Sequence, residues 1–402
     1  MNSTAAAYLD VRRGAPHRGA DLALLAYLCA FAFAMLFVFP LAAFALSTFL
    51  LINLPAGTPR YARLCLALVA AIGFAMMTGA RPLDPGEYSD IDVYYELYQG
   101  LSLGDLQQLT AFGGGLEVAL PLFMYALTLL LPGLTVNGLM ICFCVLASLL
   151  MLDWVERSFY RGPSALTSPA LMGICLLMLN LYFATQLTRQ FLSLIVLLYA
   201  FTAQGRARRT VFVLLAASFH LTALGFYAIY LLVRRGPLGW AAIVLFALLL
   251  RVNFGALVAA FDIVPDAVAE KLAYYVDNSQ EFTVSDLTSL RMIALLGAIS
   301  ALGWLASGFK PDRKSAPWMA VPWITAVVHF ILLPIPLASL RATLMVHGVA
   351  PGLIAHRMLE GRARRVLALV LNVLFVYKIL AFLMAGQGNT LSTPTILGGI
   401  FL

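Results

Sequence analysis

Charge is what this sequence has least of. Of 402 residues only 11% are charged while 62% are apolar, with span-length apolar stretches throughout, which excludes a soluble domain. Cysteine is also sparse. The five present (Cys29, Cys65, Cys142, Cys144, Cys175) all lie inside apolar runs, so neither a disulfide framework nor a thiolate metal site is expected. No His, Asp or Glu pair has helical ligand spacing, and no metal or other cofactor is expected. A cleavable signal is missing too: the first apolar run starts near residue 22 and continues to 53 without a small-residue cleavage pattern. The net charge of +7 would suggest a polyanion partner in a soluble protein. Here the basic residues sit in short clusters between apolar runs, where they report membrane orientation rather than nucleic acid.

What is present reads as an all-α, polytopic transmembrane helical bundle of about nine to eleven spans. Residues 1–21 form a polar N-terminal arm, 22–386 a single transmembrane domain, and 387–402 a C-terminal tail. Two acidic stretches interrupt the apolar pattern, 80–117 and 262–290, and together they hold 13 of the 19 acidic residues, so both are read as external loops. Pro40 divides the run 22–53, which is either one bent span or two short ones. The run 118–130 spans about 20 Å as a helix, too short for a bilayer core of about 30 Å, and is read as a re-entrant or surface helix. Around His220 the run 211–233 has basic residues at both ends. It either breaks near His220 and turns back, or crosses once with the correction coming in 238–261.

This topology brings Arg81, Arg189, Arg291 and Arg341 to outer helix ends, where positive charge should be scarce. Arginine presents a planar fork suited to phosphate and does not lose its charge, so four of them call for a phosphate or pyrophosphate lipid head group. The plainer account is that each pairs with a loop carboxylate or anchors at the head groups. His220 lies in an apolar run, either as a core histidine bonded to a neighbouring turn or as part of the site, whereas His329 and His347 lack a comparable setting. Tyr88, Tyr94, Tyr95 and Tyr98 are either interfacial belt residues or platforms for sugar rings.

Arg189-Gln190 followed by Ser193, then the basic cluster Arg206, Arg208, Arg209, then Phe219-His220-Leu221-Thr222-Ala223-Leu224, resembles the EpsG-type polysaccharide polymerases, a branch of the Wzy-like membrane glycosyltransferases of bacteria. Gly79-Ala80-Arg81, the stretch Asp90 to Tyr95, Glu117 and Arg341 extend the resemblance, although Ser89-Asp90-Ile91-Asp92 departs from the family's Gly-x-Asp-Tyr and no Pro-Gly follows Glu117. The resemblance implies a GT-C-like bundle in the inner membrane. Its active site would face the periplasm and join undecaprenyl-pyrophosphate-linked oligosaccharide donor and acceptor without metal or nucleotide, with chain-length regulator and export proteins as further partners. It implies pyrophosphate binding by Arg81, Arg189, Arg291 and Arg341, and sugar contacts from Tyr94, Tyr95 and Asp92. The catalytic set would be Glu117, Asp90, His220 and Arg189, with Glu117 or Asp90 favoured as proton acceptor and His220 as a positioning group. A lipid-linked oligosaccharide flippase or other transporter, an O-antigen-ligase-like transferase and a membrane acyltransferase are the competing classes; a transporter should show pseudo-repeats and a charged midplane path, and neither is evident.

Overall fold

The computed structural model describes residues 18–55, 57–81, 90–160, 169–252, 320–332, 339, 341–342, 344–349 and 364–384. Arg291, the acidic loop 262–290, most of the N-terminal arm and the C-terminal tail lie outside these residues. The described chain is helical throughout and contains no strand.

Among the described residues two helices are long and apolar enough to cross a membrane, Arg60–Gly79 and Val136–Tyr160, the second ending in a π-helical turn. We call them α3 and α6, the latter α-helical over Val136–Val155. Before them come α1 (Arg18–Leu36) and α2 (Pro40–Asn53), and between them α4 (Asp90–Ser102) and α5 (Ala119–Leu130). The run 22–53 is thus two helices: Pro40 sits in the first turn of α2, where its missing N–H costs nothing. Among the described residues, eight further apolar helical stretches are 10 to 17 residues long.

α3 and α6 are antiparallel, and polar clamps hold both ends. At one end Glu156 accepts from Arg60 Nε and Arg63 Nη2, each at 2.8 Å, and the Arg63 guanidinium lies 3.8 Å from the Tyr160 ring. At the other end Asn137 Nδ2 donates to the carbonyls of Gly79 (2.9 Å) and Arg81 (3.0 Å). Gly79 has no room for a side chain, since a Cβ would stand 2.5 Å from Ile141 Cγ1.

The acidic stretch 80–117 is not a simple loop, as its charge pattern suggests. It contains α4, whose buried positions Ile91, Tyr94, Leu97, Tyr98 and Leu101 recur at helical spacing beneath a polar outer face. Asp90 and Asp92 occupy the first turn of α4, where they complement the helix dipole.

The centre of the fold is α9 (Thr188–Thr202), reached through α7 (Ala170–Met178) and the short α8 (Tyr182–Gln186). Every α9 residue except Arg189 and Thr202 is buried, as an all-round apolar helix requires. Its far end is fixed to α6, where Trp154 Nε1 donates to the Thr202 hydroxyl at 3.0 Å and the Tyr199 hydroxyl to the Leu150 carbonyl at 2.6 Å. Arg189 therefore stands at the same end of the bundle as Gly79 and Asn137. Against α9 pack α10 (Arg206–Phe219) and α11 (Thr222–Val233), followed by α12 (Pro237–Val252) and α13 (Ala320–Leu332). The last helix, α14 (Arg364–Met384), sends Lys378 to the carbonyls of Leu177 and Leu179, capping the broken end of α7.

Candidate functional site

The run 206–233 breaks at His220. α10 ends at Phe219, His220 takes extended backbone angles (φ −159°, ψ 128°), and α11 starts at Thr222. Ser193 of α9 holds the break, its hydroxyl donating to the carbonyl of Ala216 at 2.8 Å and lying 3.3 Å from that of His220. A helix start leaves backbone N–H groups without partners in the helix. Here the Leu221 N–H donates to Glu117 Oε1 at 2.9 Å, and the Thr222 N–H points to His220 Nδ1 at 3.2 Å. The carboxylate thus sits at the positive end of α11.

Glu117 reaches this point because of the glycines before it. Gly113, Gly114 and Gly115 all have positive φ (58°, 63° and 84°). A Cβ at Gly113 would lie 2.5 Å from Glu117 Cγ, so glycine is needed there both for the backbone angle and for the side chain folded across it.

Both oxygens of Glu117, which is only 4% exposed, are engaged. Oε2 accepts from Arg189 Nη1 at 2.5 Å, and Oε1 lies 3.3 Å from His220 Nδ1 as well as bonding Leu221. The Arg189 guanidinium lies 3.9 Å from the Phe112 ring, with Tyr94 and Asp90 acting on it electrostatically. On the other side of the imidazole, Arg341 Nη1 is 3.4 Å from His220 Nε2. Gln190 Nε2 donates to the Arg341 carbonyl at 3.3 Å, closing a ring from Arg189 through Glu117, His220 and Arg341 back to the residue beside Arg189.

The contacts of the imidazole call for different tautomers. Arginine has no acceptor, so the contact with Arg341 is a hydrogen bond only if Nε2 carries a lone pair, whereas the Thr222 N–H needs a lone pair on Nδ1. A neutral imidazole meets one of the two at a time, and when Nδ1 is protonated the nearby acceptor is Glu117 Oε1 at 3.3 Å. An imidazole between a carboxylate and a guanidinium is a candidate for proton transfer or for positioning.

Glu117, Arg189, His220 and Arg341, expected from sequence to share a site, are therefore brought together, with Asp90 and Tyr94 beside them. Glu117 accepts from Arg189 on one oxygen and from the Leu221 N–H on the other, and lone pairs remain on both. Tyr94 is 2% exposed, with its ring edge-on to Phe112 and Phe143, and so offers no face for a sugar; burial raises its hydroxyl above the ordinary tyrosine value, with the nearby Arg189 opposing. Tyr95 is half-buried and stacked on Tyr98, and Asp92 is half-buried on α4. Arg81 stands apart from the ring, its guanidinium 4.2 Å from the Tyr182 ring and its carbonyl held by Asn137. At this end of the bundle Arg81 Nη1 and Arg189 Nε are buried with no hydrogen-bond acceptor, as are Arg63 Nε and Arg209 Nε at the other end.

Sequence reasoning missed Gly113, Gln190 as a backbone clamp and the N–H groups of Leu221 and Thr222. Only the three-glycine run before Glu117 carried a signal that could have been read. Among the described residues no group of three or more His, Cys, Asp or Glu side chains could hold a metal ion.

No curated protein and no solved structure matches the chain. The family model that does match, described as the EpsG family, covers residues 64–393, a span that takes in Arg81, Glu117, Arg189, His220 and Arg341. On that match the chain belongs to the EpsG family, a family of membrane-bound exopolysaccharide polymerases.

Proposed function

We propose that the chain polymerises undecaprenyl-pyrophosphate-linked oligosaccharide repeats at the periplasmic face of the bacterial inner membrane, as a multi-pass glycosyltransferase. In this reading the short helices around α9 complete the polytopic bundle begun by α3 and α6. An acceptor sugar hydroxyl loses its proton to His220 Nε2, whose lone pair is freed as Arg341 turns from it to the pyrophosphate. Its oxygen then bonds the anomeric carbon of the donor chain, and the bond from that carbon to the pyrophosphate breaks. Arg341, Arg81 and the unused edge of Arg189 stabilise the departing pyrophosphate by preorganised positive charge. Arg291 is assigned to the same group from sequence alone. Glu117 orients His220 and holds Arg189, Asp90 adds to the field at Arg189, and Tyr95 and Asp92 face the sugars from α4.

The observation that carries this is the cluster of Arg189, Glu117, His220 and Arg341 at one end of the bundle, where Arg81 Nη1 and Arg189 Nε are also buried with no acceptor. Buried donors are normally satisfied, and an anion is what these two lack. The test is Arg81→Lys and Arg341→Lys, measured as polymer length on gels of surface polysaccharide at matched protein levels. Lysine keeps the charge but loses the fork, so short or single-repeat material is expected. Wild-type length in both variants would sink the assignment, and loss of all lipid-linked material outside the cell would favour a flippase.

A further inference from the structure

We propose that His329 is a positioning residue for Arg341. The inference rests on the reading of Arg341 as a pyrophosphate-binding group. His329 stands in the last turn of α13 and is fully buried. Its Nδ1 is 3.0 Å from the Ser339 carbonyl and 2.5 Å from the Ser339 hydroxyl, and Ser339 is fully buried too.

A carbonyl only accepts, so Nδ1 carries the proton and donates it to the backbone two residues before Arg341. The Arg341 carbonyl is in turn held by Gln190, itself buried in α9. Two buried side chains from two different helices thus grip the backbone at 339 and at 341, and the guanidinium between them and the site meets His220. Arginine carries considerable rotamer entropy, and its five donors are directional. Fixing the backbone that bears it is the way to keep the fork in register with a phosphate.

A structural role alone would also bury a histidine here, so the discriminating measurement is a double-mutant cycle. Four proteins in proteoliposomes with a lipid-linked repeat unit would be compared for initial polymerisation rate: wild type, His329→Ala, Arg341→Lys and the double variant. A misplacement on the order of 1 Å at a reacting group costs up to about 100-fold, so His329→Ala is expected to slow polymerisation by about tenfold or more. In the Arg341→Lys background the same change should add little, because what it positions has already gone. His329→Asn, which keeps an N–H donor near the Nδ1 position, should restore most of the rate. Should His329→Ala fail to accumulate, His329→Gln, which keeps bulk but moves the donor to the Nε2 position, replaces it in the cycle.

Losses that multiply in the double variant, or a wild-type rate in His329→Ala, overturn the positioning role. In those cases an impaired Arg341→Lys still leaves the reading of Arg341 standing. A wild-type rate in Arg341→Lys itself removes both.

Discussion

Replacing Glu117 with glutamine tests the site most directly, because the geometry leaves the amide no good orientation. The carboxylate accepts from Arg189 on one oxygen and from Leu221 N–H on the other, which also faces His220 Nδ1. If the Gln oxygen faces Arg189, its NH2 points at the Leu221 N–H. If the oxygen faces Leu221, the NH2 points at the Arg189 guanidinium. Either way a hydrogen bond to a charged group is lost, about 1.5–3 kcal/mol. General base catalysis contributes about 10²–10⁴-fold, and the polymerisation rate of Glu117→Gln should fall within that range. The assay is conversion of lipid-linked repeats to polymer in membranes of matched protein content, with thermal stability followed in detergent. Glu117→Asp should be intermediate, since it keeps the charge but shortens the reach. A Glu117→Gln rate close to wild type, with normal accumulation, would refute the ion pair and the Glu117–His220 contact as functional elements.

Gly113→Ala should behave like a loss of Glu117, because the new methyl would stand 2.5 Å from Glu117 Cγ and displace the side chain; its rate should fall while the far end of the bundle stays intact, and a wild-type rate would contradict this. Glu156→Ala leaves Arg63 buried without its counter-charge at the opposite end, and should cost about 3–5 kcal/mol of stability, seen as a lower melting temperature. Catalysis per folded molecule should survive that change, and a selective loss of activity would place Glu156 in the mechanism instead. Single cysteines at Ser102 and Ser279 should both react with an impermeant thiol reagent in outer-membrane-permeabilised cells; protection of either would overturn the shared external face.

The sequence by itself determined the class. Its apolar fraction requires a helical membrane protein, because so much apolar surface cannot be stable in water. It also marked Arg189, Glu117, His220 and Arg341, since ionisable residues beside apolar runs stand out against so little charge. Helix boundaries were less legible. Hydropathy leaves open whether 211–233 breaks near His220 or crosses, and the break is held by the Ser193 hydroxyl arriving from α9, a partner far away in the sequence. The helix in 90–102 was masked by its acids, although its buried residues keep a helical period. The roles within the site were decided by tertiary structure alone. Composition cannot say that both Glu117 oxygens are engaged, that Arg341 meets Nε2 rather than Nδ1, or that His329 reaches back to Ser339. These depend on hydrogen-bond directions between helices, and a donor's partner is fixed only once the helices have packed.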